Sequence, residues 1–329
     1  MKTNDIIGLG SAILDFLIEI GDDKLLEMDL TKGQGHLVDK DKAHKMLEKI
    51  NNEKLSIKKV SGGSAANCLK GFAFLGGSAI LCGKVGNDEH GDFYVQEIKE
   101  HGVSSRIGRN ENITGHSLTF ISPDAERTFS VHLGAALELY QEDILEEDIA
   151  KSKILHLEGY QVEGATRKTI MHAIEFAKKH NTLISIDLAD PGVVERNLDF
   201  LRELVTNHAN IVFVNENEAK AFTGLEEEEA ALELAKHAQI AVVKLGAEGS
   251  IICSKGEITR IQPFKANAVD TTGAGDCYAA GFLYGFTQGW EFSKAGKLGS
   301  LLASKIVEQT GVKITELDVQ QIKQQLEES

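Results

Sequence analysis

Seven consecutive residues, Asp270-Thr271-Thr272-Gly273-Ala274-Gly275-Asp276, place a glycine turn and a carboxylate at the mouth of an apolar helical stretch, CYAAGFLYG. Gly273 and Gly275 let the backbone come close to a ligand. The free amides of a helix's first turn, reinforced by the helix dipole, favour negative charge there. A phosphate suits such a place, and Asp276, within the first turn, could take the proton of a hydroxyl presented to it. An aspartate that simply caps the helix is the competing reading of the same residues.

Phosphoryl transfer to an alcohol needs an in-line hydroxyl, an oriented triphosphate with its metal, and charge stabilisation at the transferring group. Asp276 would be the general base. The amides of Gly273, Ala274 and Gly275 would face the developing charge as an oxyanion hole does, with the hydroxyls of Thr271 and Thr272 beside the same phosphates. Asp15 stands inside the very apolar segment ILDFLIEI. An acid there is costly unless it is paired or used. Two other phosphate motifs fail. Gly8-Leu9-Gly10 begins like a dinucleotide fingerprint, but Ile13 holds the third glycine position and a strand follows. Around Gly83-Lys84, Val85 stands where a P-loop requires its hydroxyl.

The elements that must position these groups follow a βαβ rhythm. Apolar strands are expected at 5–10, 78–84, 153–159, 183–188, 210–215 and 240–246. Helices are expected at 65–75, 92–101, 166–180, 215–223 and 227–238, which together give a parallel sheet covered on both faces. A hairpin turns at Lys255-Gly256. Two segments, about 12–38 and 112–134, alternate polar and apolar residues and break the rhythm; the second turns at Pro123-Asp124. They are expected to form a small β-sheet lid over the carboxyl edge of the parallel strands, hinged at Gly62-Gly63, within one α/β domain spanning 1–329.

The chain has 329 residues, 42% of them apolar, enough for a large core. No apolar run reaches the ~18 residues that span a bilayer, and the N-terminus leads directly into a strand, so a cytoplasmic protein without membrane contact is expected. A net charge of −15 argues against a nucleic-acid surface and leaves attraction for a polyanion to local devices. Cys68, Cys82, Cys253 and Cys277 are scattered through apolar segments and read as reduced core thiols. The acidic run Glu226–Glu229 reads as a helix start.

The string DTTGAGD resembles the C-terminal signature of the ribokinase-like (PfkB) carbohydrate and nucleoside kinases, and a second family signature precedes it at Gly62-Gly63-Ser64-Ala65-Ala66-Asn67. The resemblance extends over essentially the whole chain. GLGSAILD, VSGGSAANCLKG, TGHSLTFISPDAERTFSVHLGAA, LEGY, VNENEA and SKIVEQTG look most like adenosine kinases and their bacterial relatives. It implies a ribokinase-like parallel-sheet sandwich with helices on both faces, and use of ATP and Mg²⁺, with room for a K⁺ ion beside the anion hole.

On the acceptor side the resemblance implies that Asp15 accepts hydrogen bonds from vicinal hydroxyls, with Gly63, Ser64 and Asn67 completing the grip. Arg127 would approach the transferring phosphate; a surface hairpin arginine is the alternative. Asn215-Glu-Asn-Glu218 resembles the NxxE element, in which Glu218 organises Mg²⁺; the same residues could be only a capping pair. Lys244-Leu-Gly246-Ala-Glu-Gly249 resembles the ATP-side glycine turn, against a plain turn with a solvated lysine. Ser11 replaces the asparagine of many adenosine kinases, and Tyr160 is the candidate base-stacking aromatic, with a core tyrosine as the other reading. The expected activity is ATP-dependent phosphorylation of a nucleoside hydroxymethyl group, adenosine to AMP. A sugar kinase acting on ribose or fructose and a non-catalytic nucleotide- or sugar-binding regulator are the alternatives. A monomer and a homodimer are both compatible with the sequence.

Overall fold

Strands with continuous apolar runs are built to be buried on both faces, and Ala79–Gly86 is buried at every position. The computed structural model describes residues 2–53, 55–124 and 126–328. Its strands in chain order are β1 (Asn4–Leu9), β2 (Ile13–Glu19), β3 (Gly35–Leu37), β4 (Ile57–Ser61), β5 (Ala79–Gly86), β6 (Ser104–Asn110), β7 (Gly115–Ile121), β8 (Arg127–His132), β9 (Ser152–Glu158), β10 (Leu183–Asp187), β11 (Ile211–Asn215), β12 (Ile240–Lys244), β13 (Ser250–Ser254) and β14 (Glu257–Ile261).

Nine of them form one sheet in the order β14-β13-β12-β11-β10-β9-β1-β5-β6, parallel from β12 to β6 and closed at one edge by the antiparallel β13–β14 hairpin. Helices cover both faces. On one side Ser64–Phe74, Ala274–Thr287 and Phe292–Ile306 pack around Phe72, Phe213, Phe282 and Leu301; on the other, Thr166–Lys179 and Leu198–His208 pack around Leu157, Ile170 and Val212. Among the sequence-expected strands only boundaries shift, by a residue or two. The four cysteines are buried free thiols, and Glu227 opens the helix Glu227–Leu234.

The other five strands make a separate sheet in the order β3-β8-β7-β2-β4. It takes strands from both segments that break the βαβ rhythm, β7 and β8 from the second and β2 and β3 from the first, in which Asp22–Glu27 is helical instead of extended. It also contains β4, which the sequence reading missed: IKKVS is short and has two adjacent lysines, so its alternation is faint. The edge strand β6, SSRIGRN, was missed because Ile107 is its one apolar side chain. Leu14, Phe16 and Ile18 of β2 are buried on one face of this sheet while Ile13, Asp15 and Leu17 are half-buried on the other. That is the period-2 signature of a sheet with two different neighbours.

Candidate active site

Parallel strands all end on the same side of their sheet, and ligands bind beyond those ends. Glu158 of β9 pairs in register with Asp187 of β10, and Asn215 of β11 with Lys244 of β12; Asp187 is level with Phe213 of β11, so the second polar pair stands two residues further along the carboxyl edge. Above them, between this edge, the smaller sheet and the glycine loop 270–276, lies a cleft of about 1360 Å³.

Gly273 ends the loop in the left-handed region, φ 72°, and is the N-cap of the helix Ala274–Thr287. That places Asp276 in the first turn at the bottom of the cleft. Its two carboxylate oxygens are separately engaged: Ser64 Oγ donates to one at 2.7 Å and Asn67 Nδ2 to the other at 3.0 Å. Burial raises the Asp276 pKa, and these two donors oppose the rise. Ser64 and Asn67, expected at the acceptor, therefore contact the carboxylate that would act as base. The Asn67 Oδ1 atom is buried and has no hydrogen-bond partner among the described residues. Gly63, φ 92°, starts their helix, and a Cβ there would stand 2.2 Å from the Ser11 carbonyl oxygen. No side chain fits that position.

Glu158, which the sequence reading did not assign, is fully buried; it accepts hydrogen bonds from the Ser11 and Ala65 amides, each at 2.7 Å. Burial pushes its carboxyl up to about 7 against those two donors. It ties the segment after β1 to the start of the helix Ser64–Phe74. The available signal was its place at the end of an apolar parallel strand, within LEGY. Ser11 Oγ in turn accepts from Gln161 Nε2 at 2.6 Å. Tyr160 is 47% exposed and lines the cleft, which removes the core-tyrosine reading.

Asp15 faces the cleft from β2. Burial pushes its carboxyl up to about 7; Lys70 opposes the shift, and Asp276, Glu97 and Asp270 reinforce it. Arg127 comes from β8 of the smaller sheet and is not a surface hairpin residue. Its side chain is 15% exposed, with Nη1 2.8 Å from Asp270 Oδ1 and 3.2 Å from Thr272 Oγ1.

Lys244 is half-buried and pairs with Asp187 at 2.6 Å. Burial acts to lower its pKa, but Asp187 and Glu218 outweigh burial and the net shift is upward. The ammonium lies beneath the glycine loop, since a Cβ on Gly275 would be 3.0 Å from Nζ. It is thus not a solvated lysine. Gly246 and Gly249 flank a short turn on the cleft wall, and Thr271 lines the cleft beside them. Asn215 and Glu218 form a reciprocal capping box: Glu218 accepts from the Asn215 amide at 2.8 Å and from Nδ2 at 2.5 Å, while its own amide donates to Asn215 Oδ1 at 2.9 Å. Burial pushes Glu218 up to about 7, with Lys244 opposing and Asp187 adding to the rise.

Residues 35–318 match the pfkB family of carbohydrate kinases. The chain belongs to this family. The kinase is 31% identical over 269 residues to the 5-dehydro-2-deoxygluconokinase of Bacillus subtilis (strain 168), covering 78% of this chain and 83% of that protein. In structure it is similar to a probable sugar kinase from Rhizobium etli CFN 42, with TM-score 0.89 at 31% identity, and to the adenosine kinase from Sinorhizobium meliloti, with TM-score 0.87 at 32% identity; each comparison covers 99% of both chains. The kinase therefore has the ribokinase-like fold expected from its motifs, and ATP use follows from the family. No helix among its described residues is long and apolar enough to cross a membrane.

Proposed function

We propose that this kinase transfers the γ-phosphoryl group of ATP to the hydroxymethyl group of a nucleoside, with adenosine as acceptor and AMP as product. The observation that carries this reading is a row of residues across the cleft face of the smaller sheet. Asp15 pairs in register with Ser117, Ser117 with Val131, and Val131 with Leu37. All four line the cleft, and Leu37 is 75% exposed there. The row runs from a carboxylate suited to sugar hydroxyls to an apolar surface about 10 Å away, two strand spacings. Ile13, Leu133 and Tyr160 extend that apolar surface. A ribose with a flat, uncharged base matches this polarity.

The curated relatives favour a sugar kinase as second reading. A gluconate-type acceptor brings a carboxylate, and near Tyr160 the cleft offers it Arg196, whose guanidinium is already 3.2 Å from Glu163. Asp190 lines the same wall, while Asp187 there is already paired with Lys244. An anionic acceptor would therefore meet Asp190 and no unpaired cation among these residues.

In the proposed mechanism Asp276 receives the hydroxymethyl proton, its carboxylate aimed by Ser64 and Asn67. The amides of Gly273, Ala274 and Gly275 face the transferring group, with Thr271 beside them. Arg127 contributes a cation from the smaller sheet, which serves as the lid. Lys244, Asn215, Gly246 and Gly249 frame the nucleotide side. Mg²⁺, when bound with the triphosphate, supplies charge neutralisation. A carboxylate accepts about four hydrogen bonds, and Glu218 uses two in its capping box, so capacity remains for metal-bound water. Calorimetric titration without nucleotide tests the acceptor: adenosine should bind and 5-dehydro-2-deoxygluconate should not. The reverse preference contradicts the proposal.

A further inference from the structure

Directly before Gly63, three side chains from two helices converge on one stretch of backbone. Lys70, from the helix Ser64–Phe74, is 1% exposed, and its Nζ donates to the Ser61 carbonyl at 2.5 Å and to Ser61 Oγ at 3.2 Å. Tyr94, from the helix Glu89–Glu100, is fully buried and its hydroxyl donates to the Gly62 carbonyl at 3.1 Å. Glu97, one turn further along the same helix, accepts a hydrogen bond from the Ser61 amide. The Gly62 amide completes the set by donating to the Ile13 carbonyl at 2.8 Å.

Burying an ammonium and a phenol solely to satisfy two carbonyls is expensive, and an apolar pair would pack as well. The reason lies on the other side of the backbone. A Cβ on Gly62 would stand 2.3 Å from Asp15 Oδ2 and 2.9 Å from Oδ1. The Asp15 carboxylate therefore rests against the Gly62 α-carbon, and whatever fixes this peptide fixes the surface on which the carboxylate lies. The next helix, begun by Gly63, carries the Ser64 and Asn67 groups that hold Asp276.

We propose that Lys70, Tyr94 and Glu97 are positioning residues for the transfer: they clamp the Ser61–Gly62 backbone and so set the Asp15 carboxylate at a fixed place relative to Asp276. The proposal rests on the reading of Asp15 as an acceptor contact, and it holds for a nucleoside or a sugar acceptor alike. Lys70 has an electrostatic role as well. Lys70 favours the charged form of Asp15 and the carboxylates of Asp276, Glu97 and Asp270 oppose it, and Asp15 shares a small cavity with Arg127. Lys70 is the buried cation that favours ionised Asp15.

The test is a double-mutant cycle in the full-length kinase, using whichever acceptor turns over. Lys70→Met and Tyr94→Phe are each made alone and together with Asp15→Asn. Each single variant is expected to lower acceptor kcat/KM by about tenfold while the KM for ATP changes less than about twofold. In the Asp15→Asn background the same substitutions should change acceptor kcat/KM less than about twofold. Lys70→Met should also move the acidic limb of the acceptor kcat/KM profile to higher pH, which loss of packing alone would not do. Tyr94→Phe removes one hydroxyl and keeps the proposal falsifiable should Lys70→Met fold poorly. Equal losses in both backgrounds overturn the proposal, as does a parallel rise in both KM values. If Asp15→Asn alone leaves acceptor kcat/KM unchanged, the Asp15 assignment falls and the clamp's route falls with it. Turnover of a sugar in place of adenosine defeats the nucleoside reading and leaves the clamp prediction standing.

Discussion

Arg127 Nη1 and Asp270 Oδ1 lie 2.8 Å apart, joining β8 of the smaller sheet to the first residue of the glycine loop. The Asp270 side chain also accepts from the Thr272 amide at 3.0 Å and from the Gly311 amide at 2.6 Å. Asp270 thus organises its own loop and holds the guanidinium beside Thr272 at the same time. In the proposed mechanism the cation stands ready at the loop where phosphate charge develops. Arg127→Met is expected to lower kcat by about 10²-fold, as loss of one electrostatic donor at a transfer site does. Wild-type kcat in that variant would leave Arg127 with a purely structural pairing.

Asp276→Asn keeps the shape of the side chain and removes the base. Its kcat should fall by at least ~10²-fold while nucleotide binding, followed by calorimetry, stays near wild type. A matching loss of nucleotide affinity would instead assign Asp276 to binding.

The pH dependence of acceptor kcat/KM follows from Asp15. Its carboxyl is pushed up to about 7, chiefly by burial, and accepts hydroxyl hydrogen bonds best when ionised. As pH falls through about 7 the group protonates, so acceptor kcat/KM should decline on the acid side with a midpoint near there, well above an ordinary aspartate. Asp15→Asn should remove that limb. Persistence of the limb in the variant would assign it to another group.

Asp15→Ala should cost one or two charge-assisted hydrogen bonds, each ~1.5–3 kcal/mol, on the acceptor side with little change in the KM for ATP. Adenosine lacking its 2′-hydroxyl should be a poor substrate for the wild type and should lose proportionately less in the variant. Equal penalties for the two nucleosides would remove Asp15 from the ribose contact.

Gly63 combines φ 92° with a Cβ position 2.2 Å from the Ser11 carbonyl, so Gly63→Ala must shift backbone. A loss of at least ~1–3 kcal/mol in folding stability is expected, read from denaturant unfolding. Hydrogen exchange in residues 114–134 should slow with adenosine and change little with a non-hydrolysable ATP analogue, because Asp15, the proposed acceptor contact, pairs in register with Ser117 of that segment. Equal protection by either ligand alone would contradict acceptor-driven closure.

The sequence was most legible where chain-local signals coincide with function. The apolar parallel strands and the glycine-rich helix start at Gly273 read directly, since periodicity and glycine chemistry are local properties. Asp276 followed from its place one turn into that helix. What could not be read were pairings set by the tertiary fold. Ser64 and Asn67 reach Asp276 across more than 200 residues of chain, and Arg127 reaches Asp270 between two sheets. Glu158 and Asp187 looked like ordinary strand ends until the register aligned them. Lys70 and Tyr94 gave no signal, because a buried lysine in an apolar helix resembles a solvated one until its partners are known.

Turnover across an acceptor panel tests the central claim most directly. Purified kinase with ATP and Mg²⁺ would be offered adenosine, other nucleosides, ribose, fructose and 5-dehydro-2-deoxygluconate, with kcat/KM measured for each and the product identified. Adenosine should give the highest kcat/KM and form AMP, with 5-dehydro-2-deoxygluconate lower by at least about 10²-fold, the discrimination expected when a site cannot pair an acceptor's charge. A sugar or sugar acid preferred over adenosine, or ATP consumption without AMP formation from adenosine, would contradict the account.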